Sequence, residues 1–415
     1  MQMNKKKAIT AGALALGATY TAASWLIVKS GQKKRPDIFP TYRPWHVMLE
    51  PGEPRRVAVV FNPTKPNARY GCKVIRDQVA EAGWAEPIFY ETEENDPGYS
   101  MAKDAIDQGA ELVIAVGGDG TVREVAAALA NTDVALGVVP TGTGNLLARN
   151  LQMEYWDIAS CVNSALHGRI EAIDMVKMQM TGENGEQTVR SFVVMGGAGF
   201  DAQIMTDTNE DLKARFGWVA YVESGFKNML TPRSSVRMVI DDHPPVHRKI
   251  RSILIANCGE VQGGIKLAAT TDARDGQLEV VVLSPRNVWG WLRTASRFLL
   301  GPNVFDRRRP VVEHTVGQKV TVDFLGESQP VEIDGDVLDA ATRLDAHVVP
   351  GCLNISLYPE DHVSVRKLAD IPQEMIDSRA KLQQQLIDSA ETLLDEFIET
   401  AENRAAKVMK WFEQN

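Results

Sequence analysis

The chain has 415 residues, of which 44% are hydrophobic and 24% charged, with a formal net charge of −9. That length exceeds one ordinary core and calls for two domains with appendages. The acidic balance excludes a global attraction to polyanions, so no nucleic-acid partner is expected and any anionic ligand must be held by local geometry.

In chain order, Lys5, Lys6 and Lys7 precede Ala8–Val28, a stretch without charge, and Lys29, Lys33, Lys34 and Arg35 follow it. About 20 apolar residues suffice to span a bilayer, but this stretch is rich in Ala, Gly and Thr and makes a marginal span. A membrane anchor, a cleaved secretion signal and a buried helix all fit it, and basic residues on both sides leave its orientation open. The proline-rich Gln32–Pro54 reads as a linker, closing an N-terminal region of residues 1–54.

From residue 55 to 168 short apolar runs alternate with helical patterns. Arg56–Phe61, Pro87–Tyr90, Leu112–Val116 and Val134–Val139 read as strands; Cys72–Ala82, Ser100–Asp107 and Val122–Ala130 read as helices. That rhythm is the spacing of βαβ crossovers, so the expected fold is an α/β unit with a parallel, helix-covered sheet. Over residues 169–360 the rhythm changes to many strands with few helices. Ile173–Met180, Thr188–Val194, Val236–Ile240, Ile250–Ala256, Leu278–Leu283, Val320–Phe324 and Val331–Ile333 predict an all-β second domain, a sandwich. Helical patterns interrupt it at Leu212–Leu230 and Val288–Leu300. Residues 361–415 close the chain, with an apolar helical stripe running over Pro372–Phe412. Cys72, Cys161, Cys258 and Cys352 show none of the close pairs of zinc sites and fit reduced thiols in a cytoplasmic body.

Two segments carry chemistry. Gly117-Gly118-Asp119-Gly120-Thr121 lies directly after an apolar strand and directly before a helix. Glycines let the backbone approach a ligand and turn tightly, and the new helix offers unpaired N–H groups to an anion. Thr121 can cap that helix or bond a phosphate oxygen. Asp119 would repel a bare phosphate, so it points towards Mg²⁺ or alignment of a nucleophile. A second loop, Pro140-Thr141-Gly142-Thr143-Gly144-Asn145, follows one strand later and leads into Leu146–Leu151. Loops at the C-terminal ends of strands in one parallel sheet share an edge, where ligands bind. Neither the Walker pattern nor the protein-kinase signatures are present.

At these residues the chain resembles the diacylglycerol kinase catalytic family, which includes bacterial lipid kinases, sphingosine kinases and ceramide kinases. The resemblance runs from Asn62-Pro63 through Val113–Val125 and Pro140–Asn150, then Gly196–Ala202, Gly263–Lys266 with Asp275–Leu278, and Ile333-Asp334-Gly335-Asp336. It covers about Arg56–Pro359, leaving both ends outside, and implies a Rossmann-like nucleotide domain and an antiparallel lipid-binding β-sandwich; the long C-terminal helix is expected from the apolar stripe alone. It implies ATP contacts from Asn62, Thr92, the Gly117–Arg123 loop (Gly117, Gly118, Asp119, Gly120 and Thr121 foremost) and Thr143, and Mg²⁺ held near Asp275 with help from Asp272, Gln277 and Asp174. Asp336 stands where the family carries its catalytic base, and Asp119 is the second expected catalytic residue; Asp119→Asn is expected to abolish turnover with folding intact. Thr92 could equally be an ordinary loop residue, Asp275 a hairpin turn and Asp174 a polar strand end.

Two departures stand out. Leu146 replaces the aspartate usual after the loop asparagine, and Asp336 replaces a glutamate, which shortens the arm of the base. The resemblance implies transfer of the γ-phosphate of ATP to a lipid hydroxyl at a membrane surface, diacylglycerol being the family default. Trp289, Trp291, Leu292, Phe298 and Leu299 with Arg293, Arg297 and Arg307–Arg309 fit a membrane interface or a core helix with a basic edge. The acidic C-terminal stripe fits packing on its own domain or a partner helix in a homodimer. A nicotinamide-nucleotide kinase and a catalytically weak lipid-binding protein are the competing readings.

Overall fold

The computed structural model describes residues 55–199, 233–261, 265–268, 270–285 and 312–358. The expected membrane segment and linker, the helices at Leu212–Leu230 and Val288–Leu300 with their tryptophans, Gly263-Gly264 and the C-terminal helix lie outside the described residues. Among the described residues no helix is long and apolar enough to cross a membrane.

The first part alternates as its sequence dictates: β1 (Val57–Phe61), α1 (Ala68–Glu81), β2 (Ile88–Glu91), α2 (Tyr99–Asp107), β3 (Leu112–Gly117), α3 (Asp119–Leu129), β4 (Ala135–Pro140), α4 (Leu146–Asn150) and α5 (Ile158–His167). β1, β3 and β4 are buried along their whole length, because helices cover both faces of a parallel sheet. α1 turns one stripe inward, Ala68, Gly71, Cys72, Ile75 and Val79, and Gly71 brings it against Val116 and Val139. α5 lies over the same face, with Ala165 against Gly137, whereas Gly98 before α2 lies against both Val60 of β1 and Val125 of α3. The order β2-β1-β3-β4, parallel throughout, puts the topological switch between β1 and β3. In sheets of this kind the crevice outside the C-terminal strand ends at that switch receives the ligand.

The second part is antiparallel. β5 (Arg169–Thr181), β6 (Gln187–Phe192), β8 (Ser234–Ile240), β9 (Val246–Ile250), β15 (Lys319–Phe324) and β18 (Arg343–Leu357) make one layer. The other layer is a six-stranded sheet, ordered β14 (Val312–Gly317), β13 (Leu278–Leu283), β10 (Ser252–Ala256), β7 (Met195–Gly199), β16 (Gln329–Ile333) and β17 (Asp336–Ala341). Val176, Met178, Phe192, Val236, Ile253, Ile255, Val280, Val320, Val322, Val331 and Leu344 fill the space between the layers, the expected sandwich. A two-stranded ribbon, β11 (Glu260–Val261) with β12 (Ile265–Lys266), stands apart.

β18 belongs to both parts. Its first half pairs with β15, its second half runs parallel to β4 at Ile355, and β5 follows it along almost its whole length. The parallel sheet therefore continues into the first layer of the sandwich as one ten-stranded sheet. The register shifts between Val349 and Leu353, around Pro350 and Gly351, and that shift lets one strand serve both.

One charge is sealed inside the six-stranded sheet. Glu279 of β13 has a side chain 1% exposed, and it accepts from Thr270 N at 3.0 Å and Thr270 Oγ1 at 2.7 Å and lies 2.6 Å from His314 Nδ1. Burial alone would raise its carboxyl, but the bonds from His314 and Thr270 outweigh burial and hold it at about 2. A carboxyl held below its ordinary value stabilises the fold above that ordinary value and loses the contribution as pH falls through the folded one. Glu279→Gln should therefore lower the urea midpoint at pH 7, and the gap to wild type should narrow between pH 4.5 and about 2. Equal midpoints at pH 7 would refute a stabilising role for this group.

Candidate active site

The rim above the C-terminal ends of the parallel strands collects the residues singled out in the sequence. Asn62 follows β1, and its N–H donates across the switch to Val116 O at 3.0 Å. Its side-chain oxygen accepts from Thr64 N at 3.0 Å and Thr64 Oγ1 at 2.7 Å, closing a tight turn. Thr92 follows β2, is buried, and donates its N–H to Phe61 O at 2.9 Å. Gly117 ends β3, and Thr121 folds back onto it so closely that any Cβ at Gly117 would collide with the threonine side chain. The first intrahelical bond of α3 runs from Val122 N to Gly118 O at 3.1 Å. The N–H groups of the turn before it have no acceptor within the helix and face outward at the positive end of its dipole.

The second loop lies against the first. Thr141 N donates to Gly117 O at 2.9 Å, and a Cβ on Gly142 would sit 2.6 Å from Gly118 Cα. Asn145, in the left-handed region at φ 50°, closes this loop by accepting from Gly142 N at 3.1 Å and donating to Gly142 O at 2.9 Å. Thr143 is exposed on the loop. Thr141 Oγ1 is buried without a hydrogen-bond partner. Asp119 joins the two loops: its carboxylate accepts from Asn145 N at 2.9 Å and Leu146 N at 2.6 Å, capping α4 from a different helix. Burial raises this carboxyl, against the pull of those two amides and of Arg149, and nearby Asp336 raises it further.

From the sandwich, the turn between β16 and β17 reaches this rim. Asp334 and Gly335 both have positive φ, 47° and 92°, so two residues reverse the chain and Asp336 stands directly opposite Ile333. Asp334 is buried and accepts from Val193 N, Val194 N and Met195 N at 3.2, 3.1 and 2.9 Å. Burial pushes its carboxyl up to about 6, against the pull of Arg123 and the amides. Asp336 points towards the first loop, with Oδ2 3.2 Å from where a Cβ on Gly120 would stand. Arg123, on α3, reaches back with NH2 2.8 Å from Asp336 Oδ2 and NH1 3.0 Å from Ile333 O. A second link joins the parts nearby, where Asn150 of α4 bonds Glu260 in both directions, 2.8 Å to its carbonyl and 2.9 Å from its N–H.

The expected metal-binding residues form a separate group around Arg274. Asp174 is buried and accepts from Gly276 N and Gly351 N, each at 2.7 Å. Asp275 accepts from Asp272 N at 3.2 Å and Gln277 N at 2.9 Å, and Asp272 pairs with Arg274 at 3.2 Å. Burial raises both Asp174 and Asp275, and neighbouring acids add to it: Asp272 for the first, Asp174 and Asp272 for the second. Among the described residues no three His, Cys, Asp or Glu side chains converge on a metal position. An all-carboxylate cage is thus not built here. A hard cation that takes one carboxylate and carbonyl oxygens would share this place with the Arg274 guanidinium, and the oxygen left over is Oδ1 of the buried Asn257, which has no partner while its Nδ2 donates to Asp174 O at 2.9 Å.

Residues 56–178 match the diacylglycerol kinase catalytic domain, and residues 194–357 match the YegS C-terminal NAD kinase beta sandwich-like domain. A Pseudomonas fluorescens protein named probable lipid kinase YegS-like is 30% identical over 285 residues, covering 68% of this chain and 88% of that protein. The chain belongs to the diacylglycerol kinase catalytic family. A Bacillus subtilis diacylglycerol kinase is 26% identical over 322 residues, covering 75% of this chain and 97% of that one. The fold agrees as well: the crystal structure of a diacylglycerol kinase from Bacillus anthracis superposes with a TM-score of 0.54 at 19% identity, over 74% of this chain and 97% of that chain.

For a lipid kinase of this family the departures acquire a local meaning. Leu146 cannot supply a carboxylate, but its N–H is one of the two donors on Asp119. One residue, Thr141, escaped selection from the sequence, and another was selected for a different partner. Arg123 is expected as the last residue of the nucleotide loop, and the structure shows its side chain reaching Asp336 and Ile333 of the neighbouring part. Thr141 stands between Pro140 and Gly142, whereas Thr143, between two glycines, carries the more conspicuous signal.

The loop contact sets two expectations. Gly142→Ala drives a methyl into the Gly118 backbone and should lower kcat/KM for ATP about tenfold or more, as overpacking of about 1–3 kcal/mol requires, measured by nucleotide titration of the phosphotransfer rate. Asp119→Asn leaves one loop amide facing an NH₂ donor, so beyond losing turnover it should cost roughly 1–3 kcal/mol of stability. A wild-type melting curve for Asp119→Asn would contradict the capping role.

Proposed function

We propose that this chain is an ATP-dependent lipid kinase that transfers the γ-phosphate to a lipid hydroxyl, with diacylglycerol as acceptor and phosphatidic acid as product. The observation that carries the reading is the meeting of two parts at one point: Asp336 of the sandwich lies beside Gly120, at the N-terminus of α3. An anion cradle and a half-exposed carboxylate in one crevice are what in-line phosphoryl transfer needs, since positioning and charge neutralisation supply most of its rate.

In this reading the amides of Gly118–Thr121 and the Thr141 hydroxyl hold the phosphates, with Asn62, Thr92 and Thr143 lining the nucleotide side. Asp336 takes the proton from the lipid hydroxyl as the oxygen attacks phosphorus and ADP leaves. Its shorter arm requires the hydroxyl to come within about 3 Å. Asp275, with Asp272, Gln277 and Asp174 around it, would hold Mg²⁺, which supplies neutralisation of negative charge. The acceptor sits in a membrane, so the catalytic body works on its cytoplasmic surface where ATP is present; the N-terminal apolar segment would tether it there, and the C-terminal stripe would join two copies.

Purified protein with labelled ATP, Mg²⁺ and diacylglycerol in mixed micelles should yield labelled phosphatidic acid. Asp336→Asn should reduce kcat by about 10²–10⁴, the usual weight of a general base, with an unchanged melting curve. Label passing to a nicotinamide nucleotide and to no lipid would overturn the lipid reading.

A further inference from the structure

The base of the proposed reaction stands on an arm one methylene shorter than a glutamate, with a side chain 54% exposed. A free carboxylate in that position would sample water in several rotamers and leave the loop. Arg123 prevents this. Its side chain is 8% exposed, and its guanidinium is held at both ends, by Asp336 Oδ2 at 2.8 Å and by Ile333 O at 3.0 Å. The second bond goes to the main chain at the start of the same turn, so rotation of Asp336 alone cannot carry the arginine away. Because Arg123 belongs to α3, whose N-terminus is the phosphate loop, the position of the carboxylate is referred directly to that of the anion cradle.

We infer that Arg123 is the positioning residue that lets the short-armed Asp336 serve as base, by fixing its carboxylate over Gly120. The inference rests on the phosphotransfer reading above. The other charged side chains of this corner do not take over that role. From α3 come Glu124 and Asp119 and from its own turn comes Asp334, all carboxylates. Arg123 is the cation in direct contact with the base, while Arg149 acts on Asp119 from α4.

The test is steady-state kinetics on the full-length protein, with Arg123→Gln and Arg123→Lys, and nucleotide binding measured separately with a fluorescent ATP analogue. Arg123→Gln should lower kcat by about 10–100-fold, the cost of a misplaced reacting group, and leave KM for ATP within about threefold. Arg123→Lys keeps the charge but not the planar fork; it should recover part of the lost kcat and stay below wild type. A purely structural arginine would change melting and ATP binding together, and that result overturns the inference. So does wild-type kcat in Arg123→Gln. Should Arg123→Gln not fold, wild-type kcat in Arg123→Lys decides against the positioning role. A wild-type protein that binds the analogue but phosphorylates no lipid rejects the reading beneath, and this inference with it.

Discussion

Two glycine-rich loops on neighbouring strands have almost no side chains with which to pack, and here a carboxylate replaces the missing packing. Asp119 sits in the first turn of α3 and accepts from the backbone of Asn145 and Leu146 in the other loop. Gly118 and Gly142 can then lie in van der Waals contact, and a five-residue helix, too short to be stable alone, gains a cap it does not carry itself. The arrangement turns the remaining N–H groups of both loops towards a single place. An acidic residue in an anion cradle stops being a paradox once its charge is spent on the backbone of the neighbouring loop.

The sandwich approaches that cradle through one rigid hairpin. Asp334 is locked by the amides of Val193, Val194 and Met195, the residues leading into β7, and its own N–H donates to Met195 O at 2.8 Å. Three of the five residues of β7, Met195-Gly-Gly-Ala-Gly199, are glycine, and its neighbours press on it from both sides: a Cβ on Gly197 would enter the Ile253 carbonyl, and one on Gly196 would crowd the Glu332 carbonyl. The glycine-rich stretch is a core strand, paired with β10 on one side and on the other with β16, which carries the turn.

The strands and helices of the first part were legible because parallel strands are buried on both faces and leave continuous apolar runs. Leu112–Gly117 and Ala135–Pro140 fall within a residue of their expected places. The glycine loops were legible through their position between strand and helix. β17 and β18 were not, since turn-forming Asp, Thr, Pro and Gly interrupt the runs of Asp336–Ala341 and Arg343–Leu357. β7 was missed for the same reason that it matters, the want of side chains. Among site residues, chemistry was legible in residue type and order, but partnership was not. No pattern tells that Asp174 spends its oxygens on Gly276 and Gly351, or that Arg123 of one part meets Asp336 of the other across more than two hundred positions.

β18 has a consequence for how the molecule can be divided. A cut after Gly168 would leave β4 with an unpaired edge where Ile355 pairs with Leu136, and would expose α5, whose Ser164 carbonyl receives the Ser356 hydroxyl at 2.9 Å. A chain ending before Arg343 would lose the strand to which β5 is zipped from Arg169 to Thr181. Neither half owns all of its own sheet. Synthesis from the ribosome therefore cannot finish the nucleotide part when its own residues have emerged; completion waits for the last strand of the sandwich, and both parts close together.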